Sequence, residues 1–127
     1  MNISSAAKAA GLSVKTVRYY ADIGLVKAPA RSDAGYRTYD DVSVRKLVFI
    51  RRSRAFGFTI EECRELLGLY QDQTRTSAEV KRIASKRLKE IEEKQRELQS
   101  LRDELAHLVT SCRGDHMPDC PIIDYLG

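Results

Sequence analysis

The spacing of apolar residues near the start of the chain predicts two short helices. Ser4 and Ser5 are good helix caps, and the alanine-rich stretch that follows them ends at Gly11, a residue typical of helix ends. Ser13 can cap a second helix over residues 14–23, in which apolar residues recur at steps of three and four. Two short helices joined by a tight turn are typical of a helix-turn-helix motif.

The helical period disappears after this motif. Residues 25–26 and 36–39 have the composition of short strands, and the turn-forming segment 32–35 lies between them. This pattern predicts a β-hairpin.

Two more helices are predicted after the hairpin. Asp40 can cap a helix over residues 41–56. Thr59 and Glu62 have the spacing of a capping box at the start of a helix over residues 60–71. In both cases a side-chain oxygen can accept a hydrogen bond from a backbone N–H group that the first helical turn leaves free.

A much longer apolar pattern begins at Ser77, which we expect to cap it, and runs to Ser111. At 1.5 Å per residue, about 35 residues make a rod of roughly 50 Å. Apolar residues follow one side of this rod and charged residues fill most other positions. No other segment is long enough to cover this apolar seam, so the pattern predicts a homodimer in which two copies of the helix pack together. We therefore divide the chain into a domain of residues 1–71, a linker of residues 72–76, a dimerisation helix of residues 77–111 and a tail of residues 112–127.

Size and charge narrow the function. The 127 residues suffice for one compact domain and a long accessory element but not for a large two-domain enzyme, so we expect a regulator or binding module. Residues 1–70 carry 12 basic and 7 acidic side chains, whereas residues 71–127 carry 10 basic and 11 acidic ones. The basic first half favours binding to double-stranded DNA. No apolar run approaches the roughly 20 residues of a membrane span, so we expect a cytoplasmic protein without a membrane partner.

Candidate DNA contacts lie in the second helix. Lys15, Thr16 and Arg18 occupy the first turns of the helix that is expected to enter a major groove. Tyr19 and Tyr20 follow, and their hydroxyl groups can reach phosphates, although either ring can instead pack in the core.

Further candidates lie in the hairpin and in the third helix. Arg31, Tyr36 and Arg37 flank the hairpin turn, which suits a wing laid along the phosphate backbone. Arg54, near the end of the third helix, is another candidate for a phosphate contact. An ordinary solvated surface is the alternative interpretation for these basic side chains.

Cys112 and Cys120 enclose a seven-residue loop in the tail. Because thiols stay reduced in the cytoplasm, this pair is a candidate metal site rather than a permanent disulfide. Two thiolates without a convincing third ligand suit a soft monovalent ion, Cu(I), Ag(I) or Au(I), whereas zinc prefers four ligands. His116 and Met117 lie inside the loop and are donors that copper accepts, but we expect both to face solvent, as we expect of His107 on the long helix.

Two other hypotheses for the cysteine pair stay open. The two thiols can form a reversible disulfide that acts as a redox switch, or the same scaffold can serve as a zinc sensor. Cys63 shares the apolar side of the fourth helix, so we expect it to be a buried, inert thiol. Gly114 and two prolines are expected to keep the tail from restarting a helix, and the apolar residues 122–126 to fold back on the long helix as a short final turn.

Four motifs, in this order, resemble those of the MerR family of bacterial transcriptional regulators. They are SVKTVRYY at residues 13–20, IGLV at residues 23–26, GYRTY at residues 35–39 and GFT at residues 57–59. The resemblance covers nearly the whole chain. It implies a mainly helical fold with a winged helix-turn-helix DNA-binding domain, an antiparallel two-helix coiled coil between two subunits and a C-terminal effector loop. It also implies binding to a palindrome between promoter elements, and distortion of that DNA so that RNA polymerase holoenzyme aligns with both elements.

The tail resembles that of the copper(I)-responsive, CueR-like branch of this family. That branch carries Cys-x-Gly-Asp-x-x-x-Asp-Cys-Pro-Ile, and residues 112–122 match it at every specified position. Ser77 stands where zinc and mercury sensors of the family place a metal-binding cysteine. With antiparallel pairing, the resemblance implies that Ser77 of one subunit lies close to the loop of the other, and that the lack of a third thiolate excludes divalent ions. It thus implies an activator that senses Cu(I), Ag(I) or Au(I) and controls copper, silver or gold resistance or efflux genes.

Overall fold

The computed structural model describes residues 1–127, and most of them lie in six helices. The elements are α1 (Ile3–Ala10), α2 (Val14–Asp22), β1 (Ala30–Arg31), β2 (Arg37–Thr38), α3 (Asp41–Ala55), α4 (Ile60–Gln71), α5 (Ser77–Ser111) and α6 (Pro121–Leu126). The chain divides into two units, Met1–Arg87 and Leu88–Gly127. The mainly helical fold predicted from the sequence is confirmed.

α1 and α2 form the predicted helix-turn-helix. Gly11 ends α1 with a φ of 73°, a left-handed conformation that glycine adopts without strain. Ser13 caps α2 as predicted, because its hydroxyl oxygen accepts a hydrogen bond of 3.1 Å from the backbone N–H of Thr16. Gly11 and Ser13, which predicted this turn from the sequence, therefore also determine where α1 ends and α2 begins.

α1 begins earlier than predicted. The side-chain oxygen of Asn2 accepts a hydrogen bond of 2.8 Å from the backbone N–H of Ser5, so the cap is Asn2 and the prediction of Ser4 or Ser5 is wrong. The earlier start has a packing reason, because it places Ile3 against the core.

The strands of the hairpin lie closer together in the chain than predicted, because the first strand lies later, whereas the second falls within the predicted residues 36–39. β1 pairs with β2 in an antiparallel register that sets Ala30 opposite Thr38. The prediction of a strand at residues 25–26 is wrong. Both residues are buried, and their backbone N–H groups donate to the carbonyl oxygen of Tyr20 at 2.9 and 3.2 Å, which closes the end of α2. Their apolar character reflects a place in the core rather than in a sheet.

α3 and α4 begin where their caps predict. Asp40 accepts hydrogen bonds of 2.8 Å from both the backbone N–H and the hydroxyl of Ser43, and these bonds hold the pKa of its carboxyl below the usual value. Thr59 and Glu62 exchange the two hydrogen bonds of a capping box. Both helices contribute to the core of the first unit, whose fully buried side chains include Val17, Val26, Leu47, Ile50 and Cys63.

α5 has the bounds that the apolar pattern predicts. Its cap differs, because the Thr76 hydroxyl rather than Ser77 accepts a hydrogen bond of 3.3 Å from the backbone N–H of Glu79. Large apolar side chains along the second unit's part of this helix are exposed, as expected of a seam that a second chain covers. They are Leu88, Leu98, Leu101, Leu105 and Val109.

The first turns of α5 pack on the unit that contains the helix-turn-helix. Ile83 is only 3% exposed and belongs to its core. Arg82 forms an ion pair of 2.9 Å with Glu65 on α4. Arg87 Nε donates a hydrogen bond of 2.6 Å to the carbonyl oxygen of Phe56. The domain boundary at residue 71 stays a prediction.

The tail contains one more short helix. The expectation that its prolines prevent a restart is wrong for Pro121, which starts α6 because the fixed φ of proline suits the first helical position. None of the six helices combines the length and the apolar character that crossing a bilayer requires.

Ile83→Ala should destabilise the protein by about 2–5 kcal/mol, the usual range when a buried isoleucine is cut back to alanine. Urea unfolding at matched protein concentration measures this change. Val42→Ala serves as the control, because Val42 is 48% exposed and should change stability little. An unchanged stability of Ile83→Ala would contradict the packing of α5 into this core.

Candidate metal centre and nucleic-acid interface

The loop after α5 brings the two predicted thiols into contact. Cys112 directly follows the helix, and its backbone N–H still donates to the carbonyl oxygen of Leu108 at 3.1 Å. Gly114 turns the chain with a φ of 65°, and Cys120 is the residue before α6. The Sγ atoms of Cys112 and Cys120 lie 3.0 Å apart, and both residues are partly buried.

Hydrogen bonds shift the pKa values of the two thiols in opposite directions. The hydrogen bond between the two thiols raises the pKa of Cys112 and lowers the pKa of Cys120. Backbone N–H groups of Ile123 and Ile122 further stabilise the Cys120 thiolate and lower its pKa. The backbone N–H of Gly114 has the same effect on the pKa of Cys112 but does not outweigh the first bond. Cys120 is therefore the more readily ionised of the two.

The donors of this loop suit a two-coordinate ion. Nowhere in the chain do three or more His, Cys, Asp or Glu side chains come together as a metal site. His116 and Met117 are exposed, and the Asp115 carboxylate accepts a hydrogen bond of 2.9 Å from the backbone N–H of Met117. A pair of thiolates matches the preference of soft monovalent ions for few sulfur ligands.

The distance between the two Sγ atoms of Cys112 and Cys120 leaves two kinds of link open. At 3.0 Å it exceeds the S–S bond of a disulfide, which is about 2.05 Å. It is shorter than the roughly 4.6 Å expected for two sulfurs on opposite sides of one ion, taking the zinc–sulfur bond of about 2.3 Å as the scale. Movements of one or two ångströms within the loop would reach either arrangement.

The other histidine and cysteine predictions are confirmed. Cys63 is fully buried, its Sγ lies 3.8 Å from the carbonyl oxygen of Phe58, and burial raises its pKa. His107 is exposed on α5. Ser77, the residue linked to metal selectivity by resemblance, is exposed at the first position of α5.

α2 presents an exposed face formed by Lys15, Arg18 and Tyr19, in which Lys15 lies three residues before Arg18 and four before Tyr19. Thr16 also lies on this helix but is engaged in its cap. Its hydroxyl oxygen accepts a hydrogen bond of 2.8 Å from the Ser13 hydroxyl, and its backbone N–H donates a hydrogen bond of 3.1 Å to the Ser13 hydroxyl oxygen. The arrangement suits a helix that enters a groove, and DNA contact by these residues stays a prediction.

Of the two neighbouring tyrosines, Tyr20 packs in the core. It is 6% exposed against 51% for Tyr19, and burial raises the pKa of its hydroxyl in spite of a hydrogen bond with Arg54. Arg54 also donates to the carbonyl oxygen of Phe58. Arg54 therefore ties α2 to the turn between α3 and α4, whatever its role toward DNA.

One hairpin arginine is held within the hairpin and the other by α2. Arg31 Nη1 donates a hydrogen bond of 2.9 Å to the carbonyl oxygen of Gly35, across the turn. Tyr36 stands out at the tip and is 75% exposed. Arg37 Nη2 lies 2.7 Å from Asp22 Oδ1 at the end of α2. All three predicted hairpin residues thus lie on one short element next to α2.

Two contacts at the end of α2 were missed from the sequence. One is the ion pair of Asp22 with Arg37, and the other is Arg64 of α4, which donates to the carbonyl oxygens of Ile23 and Gly24 at 3.3 Å. A signal existed for Asp22, because a carboxylate at the C-terminal end of a helix is electrostatically unfavourable and calls for a cationic partner. Nothing local in the sequence singles out Arg64.

Two family models match the chain. The one described as "MerR HTH family regulatory protein" matches residues 1–69. The one described as "MerR, DNA binding" matches residues 44–108. Together they span both helices of the helix-turn-helix, the hairpin and most of α5.

Similar proteins extend over nearly the full length. The chain is 52% identical over 126 residues to the HTH-type transcriptional regulator HmrR of Rhizobium leguminosarum bv. viciae, which covers 99% of this chain and 97% of that protein. It is 48% identical to the HTH-type transcriptional regulator CueR of Salmonella typhimurium, with coverage of 99% and 91%. Among solved structures, the transcription regulator PbrR691 from Ralstonia metallidurans CH34 in complex with lead(II) is 36% identical, with a TM-score of 0.84 and coverage of 100% and 99%.

Alkylation of the metal-free, reduced protein should modify Cys120 first, Cys112 more slowly and Cys63 last. The order follows the thiolate fractions set by the hydrogen bond between the loop cysteines and by the burial of Cys63. Mass spectrometry after timed exposure to iodoacetamide at neutral pH measures it. Cys112→Ala should slow the reaction of Cys120, whereas Cys112→Ser keeps an O–H donor and should slow it less. Faster reaction of Cys112 than of Cys120 would contradict this assignment.

Proposed function

Since the chain belongs to the MerR family of transcriptional regulators, we propose that it senses monovalent coinage-metal ions, Cu(I) first among them, through Cys112 and Cys120. The chain is a metal-responsive transcriptional regulator similar to CueR and HmrR, and it is not an enzyme. Members of its family bind promoter DNA and act as dimers. On this proposal it acts in the cytoplasm and controls genes of copper, silver or gold resistance or efflux.

The observation that carries the proposal is the contact of two thiols at the end of a dimerisation helix. Cys112 and Cys120 are 3.0 Å apart, and no third acidic, histidine or cysteine side chain joins them as a metal site. Two thiolates and one monovalent ion leave a residual charge of about −1. In a partly buried loop this charge costs less desolvation energy than the larger negative charge of a site with more thiolates. Ser77, in place of a third thiolate from the other subunit, supports the same selectivity.

The tail gives this site a way to act on the dimer. A bound monovalent ion would join the two thiolates and offset part of their charge. Because Cys112 continues from α5 and Cys120 leads into α6, linking them fixes the start of α6 against the end of α5. Tyr125 already donates a hydrogen bond from its hydroxyl to Glu104 of α5, which raises the pKa of Tyr125.

The apolar side chains of α6 supply the energy of this response. Ile123 and Leu126 are 64% and 74% exposed, so their burial against α5 would stabilise an ordered tail. In our proposal this packing favours the form of the dimer that holds distorted DNA. α2 enters the major groove with Lys15 and Arg18, the hairpin lies along the phosphates, and RNA polymerase holoenzyme acts through the shared promoter.

The distance between the two sulfurs also favours a second candidate, a thiol–disulfide switch. Oxidation would need the Sγ atoms of Cys112 and Cys120 to approach by about 1 Å, to the usual S–S bond length. Against it stands the spacing of the pair, which is not that of a Cys-x-x-Cys redox motif. A zinc sensor on the same scaffold is the third candidate, and it lacks the four ligands that zinc prefers.

Run-off transcription from one promoter, under anaerobic conditions with a non-thiol reductant, separates these candidates. Cu(I), Ag(I) and Au(I) should induce and Zn(II) should not. Cys112→Ser and Cys120→Ser should each reduce transcription with Cu(I) to the uninduced level while operator binding stays nearly unchanged, because only the loop loses a ligand. Met117→Leu is the matched control and should keep induction.

Other outcomes of this assay identify the alternative that holds. Equal induction by Zn(II) would support the zinc sensor, and induction by hydrogen peroxide without metal would support the redox switch. Loss of operator binding in either cysteine variant would assign the loop a structural role instead.

Arg18→Ala should weaken operator binding roughly 10- to 100-fold and relax the sequence preference at the contacted base pair, because arginine reads base edges from a recognition helix. Competition binding with operator variants measures both effects. Lys94→Ala, which removes a charge from α5, controls for net charge and should leave the preference intact. A uniform loss over all sequences with Arg18→Ala would place this side chain on phosphates rather than on bases.

A further inference from the structure

The end of α2 and the hairpin are joined by one ion pair. Asp22 is the last residue of α2 and Arg37 the first residue of β2, and the guanidinium Nη2 lies 2.7 Å from the carboxylate Oδ1. The side chain of Arg37 is 27% exposed and that of Asp22 is 55% exposed, so the pair lies at the surface. The pair thus joins α2 and the hairpin, the two elements that carry most of the candidate DNA contacts.

The position of Asp22 is electrostatically unfavourable for two separate reasons. The C-terminal end of a helix carries partial negative charge, which disfavours a carboxylate there. A carboxylate next to a DNA-binding face also repels phosphates. An exposed ion pair contributes little to folding, so stability alone does not account for a carboxylate at this place. The ion pair with Arg37 is the contact that accounts for a carboxylate at this position.

The backbone two residues after Arg37 is anchored in addition to the Arg37 side chain. Tyr39 lies two residues further on, where side chains point to the same side of an extended chain, and its ring is buried with 2% exposure. The backbone N–H of Tyr39 donates to the carbonyl oxygen of Met1 at 2.7 Å, and the N-terminal ammonium group donates to the carbonyl oxygen of Tyr39. Only the guanidinium end of Arg37 therefore needs to be oriented, and Asp22 is the group that contacts it.

The pair also lies beside the arginine that is expected to read bases. Arg18 and Asp22 are four residues apart on α2 and so share one face of the helix. The hydroxyl of Tyr39 is buried without a hydrogen-bond partner, and the charges of Arg37, Asp22 and Arg18 all act on it. The carboxylate of Asp22 thus lies on the face of α2 that carries Arg18 and contacts Arg37 of the hairpin.

We propose that Asp22 is a positioning residue for DNA binding, whose carboxylate holds the Arg37 guanidinium in the orientation that meets a phosphate. A guanidinium has five N–H donors in a fixed plane, so when Nη2 contacts Asp22 the remaining N–H groups can still donate to a phosphate oxygen. Holding a long side chain in its bound rotamer removes part of the entropy lost on binding. The proposal rests on the proposed role of Arg37 as a phosphate contact.

The sign of the effect makes the proposal testable. If Asp22 acted only through its charge, removing it would strengthen DNA binding, because a repulsion is lost. If it positions Arg37, removing it weakens binding. The two interpretations therefore predict opposite changes for the same substitution.

The experiment measures binding of the full-length dimer to a mixed-sequence DNA duplex over a range of salt concentrations. Arg37→Ala and Asp22→Asn should each weaken binding about 3- to 10-fold and lower the slope of log K against log salt by about 1.8, because each subunit of the dimer loses one phosphate contact at about 0.9 per contact. The double variant should bind no more weakly than Arg37→Ala, because both changes remove the same contact. Asp22→Glu should recover part of the affinity, since it keeps the carboxylate.

Asp33→Asn is the matched control, since it removes an exposed carboxylate from the hairpin turn and should leave binding unchanged or slightly tighter. Thermal melting of Asp22→Asn should match that of the unchanged protein, which separates positioning from a folding defect. Binding of Asp22→Asn that is as tight as or tighter than that of the unchanged protein would overturn the proposal, as would a loss that adds to that of Arg37→Ala. If Arg37→Ala leaves the affinity and the salt slope unchanged, Arg37 does not contact a phosphate, and the proposed role of Asp22 is wrong as well. That result would not contradict the proposed metal response, which depends on Cys112 and Cys120.

Discussion

The apolar seam of α5 is the constraint on which the rest of the molecule depends. Beyond its first turns, where Ile83 is buried, this helix of 35 residues has no buried side chain and is not stabilised by the chain that carries it. Covering the seam requires a partner helix of equal length, and the family to which the chain belongs acts as dimers. A dimer brings two helix-turn-helix units to one DNA molecule, which is what a two-fold symmetric operator requires. Ile83 matters in the same context, because it joins the first turns of this helix to the core of the DNA-binding unit.

The elements of the fold were predictable wherever one local interaction decides the structure. Asp40 and the capping box of Thr59 with Glu62 place helix starts correctly, because each cap depends on residues within one turn. Residues 25–26 were assigned to a strand because buried loop residues and strand residues share an apolar composition. The start of α1 at Asn2 was missed because several polar residues in a row can cap, and packing of Ile3 decides among them.

The contacts of the candidate sites were likewise predictable only where the residues lie close together in the sequence. The cysteine pair was visible because both thiols lie in one short loop, and the structure brings them into contact. The bond of Tyr20 with Arg54 and the ion pair of Asp22 with Arg37 join residues far apart in the sequence, so no spacing rule indicates them. Tyr20 shows what this means for function, since a residue proposed to touch DNA also serves as part of the core that positions α2.

Pro121 affects more than the start of α6. The residue before a proline is restricted to extended backbone conformations, and Cys120 has a φ of −153° and a ψ of 123°. Fixing the backbone of one residue costs about 1–2 kcal/mol of conformational entropy, and here covalent geometry has already restricted Cys120 when the chain folds. In the proposed metal site, one of the two sulfur donors is in this sense preorganised. The proposal then assigns the ordering that sets metal affinity to residues 113–119, where sequence changes would tune sensitivity without altering Cys112 or Cys120.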